Sequence, residues 1–281
     1  MAGLPRWKGW LAAVAALFTL GIPTAPGAQE PFVVGVAPHT SARVIVQMYQ
    51  PLRRYLESAL RQPVEIVTAT DFTEFARAGM KQSYDLAITT AHQARLLEKD
   101  AHYLPLFTYR AEFRAVVIVA AQGPIRSPAD LEGRGVLGLS ATSLVTLWGE
   151  KWLRDRRLSS VPVRYVSASD SVAHLVLAGE AAAGFTSRSN FDMLAPAVRS
   201  QLRVLASSPP IPGRVYLLGA RQAPRQAAID EALWSFAASP EGRRYFETHK
   251  LGGYRRLRPG ELPSMEHFAD EVRRELKKAR P

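Results

Sequence analysis

Short apolar runs alternate with amphipathic stretches along most of this chain. Phe32-Val33-Val34-Gly35-Val36 predicts a strand, and Val44, Ile45, Met48, Leu52, Tyr55, Leu56 and Ala59 mark one face of a helix over 42–60. Strands are predicted at 64–68, 86–89 and 103–108. They are interleaved with a helix holding Phe72, Phe75, Ala76 and Met80 behind a cap at Asp71 or Thr70, and with another over 91–99. After a buried-looking strand at 114–121 the alternation restarts. Ser127-Pro128 opens a helical turn, strands follow at 136–139, 163–166, 184–187 and 203–205, and helices at 144–155 and 169–178. Beyond the linker-like Ser207-Ser208-Pro209-Pro210-Ile211-Pro212-Gly213 comes a strand at 215–218, then helices over 224–237, 240–248 and 264–278. The last packs along Met265, Phe268, Val272 and Leu276. Strands alternating with helices of this length predict an α/β fold with largely parallel sheets, in two successive runs.

One junction carries candidate chemistry. Ser140-Ala141-Thr142-Ser143 is a hydroxyl-rich turn between a strand and a helix whose apolar stripe is Leu144, Leu147, Trp148, Trp152 and Leu153. A helix start presents unpaired N–H groups and the positive end of its dipole, so hydroxyls beside it suit a small anion. The same hydroxyls suit an ordinary N-cap.

The two ends and the composition narrow the possibilities. Arg6 and Lys8 precede an apolar run over 10–22 and the small residues Thr24-Ala25-Pro26-Gly27-Ala28, the pattern of a cleaved secretory signal peptide over 1–28. The run is too short to span a bilayer comfortably. An exported, periplasmic location is therefore expected. The chain has no cysteine, which excludes disulfides, thiolate metal sites and cysteine catalysis. Net charge is +11, and +9 once Arg6 and Lys8 are removed. The basic residues fall in scattered pairs such as Arg53-Arg54 and Arg243-Arg244, with no basic stripe interleaved with aromatics. Solvated faces and a bias toward anionic ligands fit this better than a nucleic-acid partner.

Four segments in order carry a resemblance. They are Pro51-Leu52-Arg53-Arg54-Tyr55-Leu56-Glu57 with Pro63-Val64, Phe72 to Met80 with Tyr84-Asp85-Leu86-Ala87, Ile125 to Arg134, and Val176-Leu177-Ala178-Gly179-Glu180. Together they resemble the periplasmic substrate-binding proteins of the phosphate/phosphite/phosphonate type of ABC importer, over about residues 32–250. The resemblance implies a two-lobed type II periplasmic-binding-protein fold: two mixed, mostly parallel sheets flanked by helices and joined by a two-strand hinge. Residues 30–115 and 214–281, with the C-terminal helices, would form one lobe and 116–213 the other. Ligand would sit between them, beyond the strand ends, and the lobes would close on it.

The ligand-binding residues expected from the cleft-facing loops are His39, Thr90, His92, Thr142, Ser143, Ser169, Thr186 and Arg188. Each has a plainer alternative: a cap for Ser169, a polar loop residue for His39 and His92, a surface residue for Arg188. Tyr49 is assigned to packing. The chain departs from the resembled pattern in three places. It lacks the glycine after Ser-Ala-Thr-Ser, it has Ser169 where the family places a ligand histidine, and it has Ala182 where the family places an acid. Losing that acid argues against an aminoalkyl phosphonate. The expected function is delivery of a small anion to a membrane permease by a monomeric, non-enzymatic protein. The alternative is ligand sensing with a separate signalling partner. Ser143, Asp170 and His174 do not make a convincing hydrolase triad, and no Gly-x-Ser-x-Gly, His-Glu-x-x-His, phosphate-loop or dinucleotide motif occurs. No metal or cofactor is expected.

Overall fold

The computed structural model describes residue 3 and residues 29–166 and 169–278, the side chains of 169 and 170 excepted. The predicted signal peptide, Gly3 apart, lies outside the described residues. The order is β1 (Phe32–Val36), α1 (Ala42–Leu60), β2 (Val64–Val67), α2 (Phe72–Met80), β3 (Leu86–Thr89), α3 (Ala91–Ala101), β4 (Leu104–Tyr109), β5 (Ala115–Ala120), β6 (Val136–Gly138), α4 (Leu144–Asp155) and β7 (Val163–Tyr165). Then follow α5 (Ser169–Leu177), β8 (Ala183–Ser187), α6 (Arg188–Met193), α7 (Pro196–Arg199), β9 (Leu202–Ser207), β10 (Val215–Leu218), α8 (Gln226–Ala238), α9 (Pro240–Thr248), β11 (Tyr254–Arg255) and α10 (Glu266–Lys278).

The strands form two sheets, β11-β4-β10-β3-β1-β2 and β7-β6-β8-β5-β9, one per lobe. Each is parallel where strand–helix–strand units supply it, as in β1 with β2 and β3, and β6 with β7 and β8. The sheets are mixed and flanked by helices, as the resemblance implies, with fewer parallel pairs than simple alternation suggests. The reason lies in the crossing strands. β10 runs antiparallel to β3 and β4, and β5 runs antiparallel to β8 and β9.

Two chain segments cross between the lobes, 110–114 and 208–214. They pair through Phe113 and Ile211, whose N–H groups donate to each other's carbonyls at 3.0 and 2.8 Å. Gly213 is required here, because a Cβ at this position would stand 2.9 Å from the carbonyl oxygen of Ala111 on the opposite crossing. The Thr108 hydroxyl donates to the Arg214 carbonyl at 2.9 Å and holds the second crossing in place.

The helices close the sheets by burying one face each. On α1 the buried residues are Ile45, Tyr49, Leu52 and Leu56. The predicted face is therefore rotated, since Val44 is 43% exposed. The opposite face of the first sheet is covered by α2, α3 and α10, and the core there runs on continuously into the second lobe.

Candidate functional site

Helix starts from the two lobes meet across the cleft. In the second lobe the turn after β6 is shaped locally. Leu139 N–H donates to the buried Thr146 hydroxyl at 2.8 Å, and Ser143 N–H to the Ser140 carbonyl at 3.0 Å. This puts Ser143 at the cap position of α4 without any capping bond from its side chain. In the first lobe Thr90 occupies the cap position of α3, again without a capping bond, while Asp71 caps α2 by accepting from Thr73 and Glu74 N–H. Thr73 Oγ1 and Thr142 Oγ1 are 3.0 Å apart, and His92 Nε2 is 2.9 Å from the Thr142 carbonyl oxygen. Both contacts link one lobe to the other. Thr90 Oγ1, His92 Nδ1 and Ser140 Oγ in these loops are buried and have no hydrogen-bond partner among the described residues. Burial holds His92 neutral, down to about 4. Its bond to Thr142 works the other way, and repulsion from His267 adds to the lowering.

The second part of the cleft is a cavity of about 280 Å³ beside the hinge. Arg214, the last residue of the second crossing, forms its floor together with His39 and His249. Thr40, Thr186, Ser189 and Asn190 add polar groups from both lobes. Beneath Arg214 lie five buried tyrosines. Tyr109 hydroxyl is 2.7 Å from that of Tyr216 and 3.0 Å from that of Tyr245, Tyr254 hydroxyl donates to Tyr216 at 3.1 Å, and Tyr49 hydroxyl is 3.4 Å from Tyr109.

The electrostatics of this floor are unbalanced. Burial pushes Tyr109, Tyr216, Tyr245 and Tyr254 upward, so these phenols are neutral at neutral pH. Burial also works against the charge on Arg214, but the phenol oxygens of Tyr49, Tyr109 and Tyr245 outweigh it and the guanidinium stays charged. No carboxylate among the described residues makes a salt bridge with Arg214, and its Nη1 is buried without a hydrogen-bond partner. Withdrawing part of this charge from water without a counter-ion is unfavourable. The histidines follow the same field. Desolvation and then the Arg214 charge push both His39 and His249 below the ordinary imidazole range.

The predicted site residues divide. Thr90, His92, Thr142 and Ser143 come together at the facing helix starts, all buried. His39 and Thr186 line the cavity. Arg188 lies outside it, with its guanidinium paired to Asp192 at 2.9 Å on an exposed helix face. Ser169 begins α5, and its side chain is outside the described residues. His174 is exposed whereas Ser143 is buried, so these two do not form a catalytic pair. Arg214, His249 and the tyrosines were not legible as a site. Their only sequence signal was an arginine between a linker-like run and a wholly apolar strand. No group of three or more His, Asp or Glu side chains is arranged to hold a metal among the described residues.

Comparison with known proteins agrees with this architecture. XAC2383 from Xanthomonas citri, a structure bound to ATP, is 19% identical, with a TM-score of 0.72 over 89% of this chain and 99% of that one. PhnD1 from Prochlorococcus marinus in complex with methylphosphonate is 14% identical, with a TM-score of 0.75 over 89% and 100%. A binding protein component of an ABC phosphonate transporter from Pseudomonas aeruginosa is 14% identical, with a TM-score of 0.74 over 89% and 94%. At these identities the likeness shows the fold, a two-lobed type II periplasmic binding protein. No curated protein sequence matches. The family model described as ABC transporter, phosphonate, periplasmic substrate-binding protein matches residues 34–261, and the chain belongs to that family.

Proposed function

We propose that this chain captures a small oxyanion of the phosphate, phosphite or phosphonate kind in the periplasm and delivers it to the permease of an ABC importer. It acts as a monomer, by closure of two lobes and without catalysis. Residues 30–115 and 214–281 are one lobe and 116–213 the other. The observation that carries the reading is the charge on Arg214. The residue is half-buried, with its Nη1 fully buried, beside the tyrosine cluster, and it has no salt bridge to a described carboxylate. A fold that keeps such a charge is completed by an anion, and the planar guanidinium fork matches an oxyanion. The hydroxyls of Thr40, Thr186 and Ser189 line the same cavity and can donate to its remaining oxygens.

Calorimetric titration with phosphate, phosphite and methylphosphonate tests the reading. At least one is expected to bind. Arg214→Gln is then expected to weaken it about ten- to hundredfold, the worth of a hydrogen bond to a charged group. Unchanged affinity in Arg214→Gln removes this residue from the site, and no binding of any anion removes the reading itself.

A further inference from the structure

The cavity beside Arg214 is lined by both polar and apolar side chains, and its exposed lining holds Val44 and Met193 together with Glu112, Ser189 and Lys250. Among the described residues four large hydrophobic side chains stand out as exposed: Val44 at 43%, Val46 at 37%, Tyr165 at 47% and Met193 at 63%. Two of these, Val44 and Met193, line this one cavity. They come from opposite lobes, Val44 from the first turn of α1 and Met193 from the last residue of α6. Phe191 and Leu194 continue the apolar wall inward on one side, and Met48 on the other. Scattered exposed apolar residues are ordinary, but two converging on the rim of one concave site mark a surface that is covered in use. A bare inorganic oxyanion is ringed by water or donors on every side and gains nothing from such a rim. The volume of about 280 Å³ is at the lower edge of the range of about 300–1,000 Å³ for small-molecule sites.

We infer that the preferred ligand is an organic oxyanion with an apolar substituent of about four or more carbons, its head on Arg214 and its substituent between Val44 and Met193. The inference rests on the anion-binding reading above and adds the second half of the ligand. Charge and apolar surface then each do a separate part of the recognition. The guanidinium fixes the head, and the closing lobes bring Val44 and Met193 onto the tail. A hinge closure that covers the tail from both sides also explains why the two residues sit on different lobes.

The test compares ligands with one head and different tails. Hexylphosphonate, methylphosphonate and inorganic phosphate are titrated into the purified protein. Each buried methylene strengthens binding about fourfold, so the five by which a hexyl chain exceeds a methyl group strengthen it roughly a thousandfold. Hexylphosphonate is therefore expected to bind more tightly than methylphosphonate by about that factor, and phosphate to be the weakest. Met193→Ser, on an exposed side chain that the fold does not need, is expected to weaken hexylphosphonate more than methylphosphonate. If methylphosphonate or phosphate binds as tightly as hexylphosphonate, the apolar half of the ligand is wrong while the anion-binding reading stands. If none of the three binds, both fail. If hexylphosphonate wins but Met193→Ser and Val44→Ser leave the preference unchanged, the tail lies elsewhere and the inference is overturned.

Discussion

His92 and Thr142 belong to different lobes, and the imidazole Nε2 of the first lies 2.9 Å from the carbonyl oxygen of the second. A carbonyl can only accept, so Nε2 carries the proton and Nδ1 is left as the acceptor. The ring is fully buried, and Nδ1 meets no hydrogen-bond donor among the described residues. This contact between the lobes thus contains a neutral histidine that would have to be protonated at a buried nitrogen with nowhere to donate.

This makes stability depend on pH in a definite direction. The folded His92 titrates at about 4, against 6.5 for the free side chain. Between those values the unfolded chain binds the extra proton, so stability is full above about pH 6.5 and falls as pH drops toward 4. The loss from this one group is about 3 kcal/mol, or roughly 10 °C in melting temperature. His92→Gln keeps an N–H donor at the Nε2 position and does not titrate. The melting temperature of the wild type relative to His92→Gln is expected to fall between pH 7 and pH 4. A constant difference across that range would remove His92 as the titrating group.

The hydroxyl pair beside it supports closure separately. Thr73 Oγ1 and Thr142 Oγ1, 3.0 Å apart, form one hydrogen bond between the lobes. Thr142→Val keeps the shape and loses the bond. The expected cost is about 1 kcal/mol of closure, or about fivefold weaker ligand binding. Thr73→Val should cost the same, and the double variant no more than either single one. Additive losses in a double-mutant cycle would show that the two hydroxyls act independently.

The first lobe has its own buried anchor in Asp85. Its carboxylate accepts from Val33 N–H at 2.8 Å, Arg221 Nε at 2.7 Å and Gln222 Nε2 at 2.6 Å. The side chain is 4% exposed, so removing it leaves the Val33 N–H buried and unpaired. Asp85→Ala is expected to cost about 2–3 kcal/mol by urea denaturation, and Asp85→Asn, which keeps an acceptor, about half of that. Equal losses for the two variants would mean that charge, rather than the acceptor, is what counts.

The helix over 144–155 was legible from its apolar stripe, and that over 240–248 from its start at Ser239-Pro240. β11 was not, since two residues, Tyr254 and Arg255, carry no periodicity and are a strand only because β4 is beside them. The facing loops were legible as strand–helix junctions, and Thr90, His92, Thr142 and Ser143 lie at them. Arg214 was not, because its meaning depends on Tyr49, Tyr109 and Tyr245, which are brought under it from three distant segments. Val44 was assigned to the core stripe of α1. The pattern of apolar spacing could not show that the rim of a cleft, and not the sheet, lies opposite that first turn.

The two histidines of the cavity give a pH effect of the opposite sign to that of His92. His39 and His249 are held neutral by desolvation first, and then by the Arg214 charge. The ring of His249 is 5.1 Å from that of Tyr245 and the ring of His39 is 6.5 Å from that of Tyr49, both edge-on. An anion bound to Arg214 cancels its repulsion and raises both imidazoles. Binding then takes up protons, so affinity rises as pH falls below about 6.5. Methanesulfonate is the probe, because its own charge is constant over this range. Its affinity is expected to be about threefold or more higher at pH 5.5 than at pH 7.5, measured in the His92→Gln background to remove the opposing effect of closure. His249→Gln should flatten the dependence by removing one of the two titrating groups. An affinity that is flat with pH, or a slope unchanged by His249→Gln, would place the anion away from these imidazoles and from the arginine that holds them neutral.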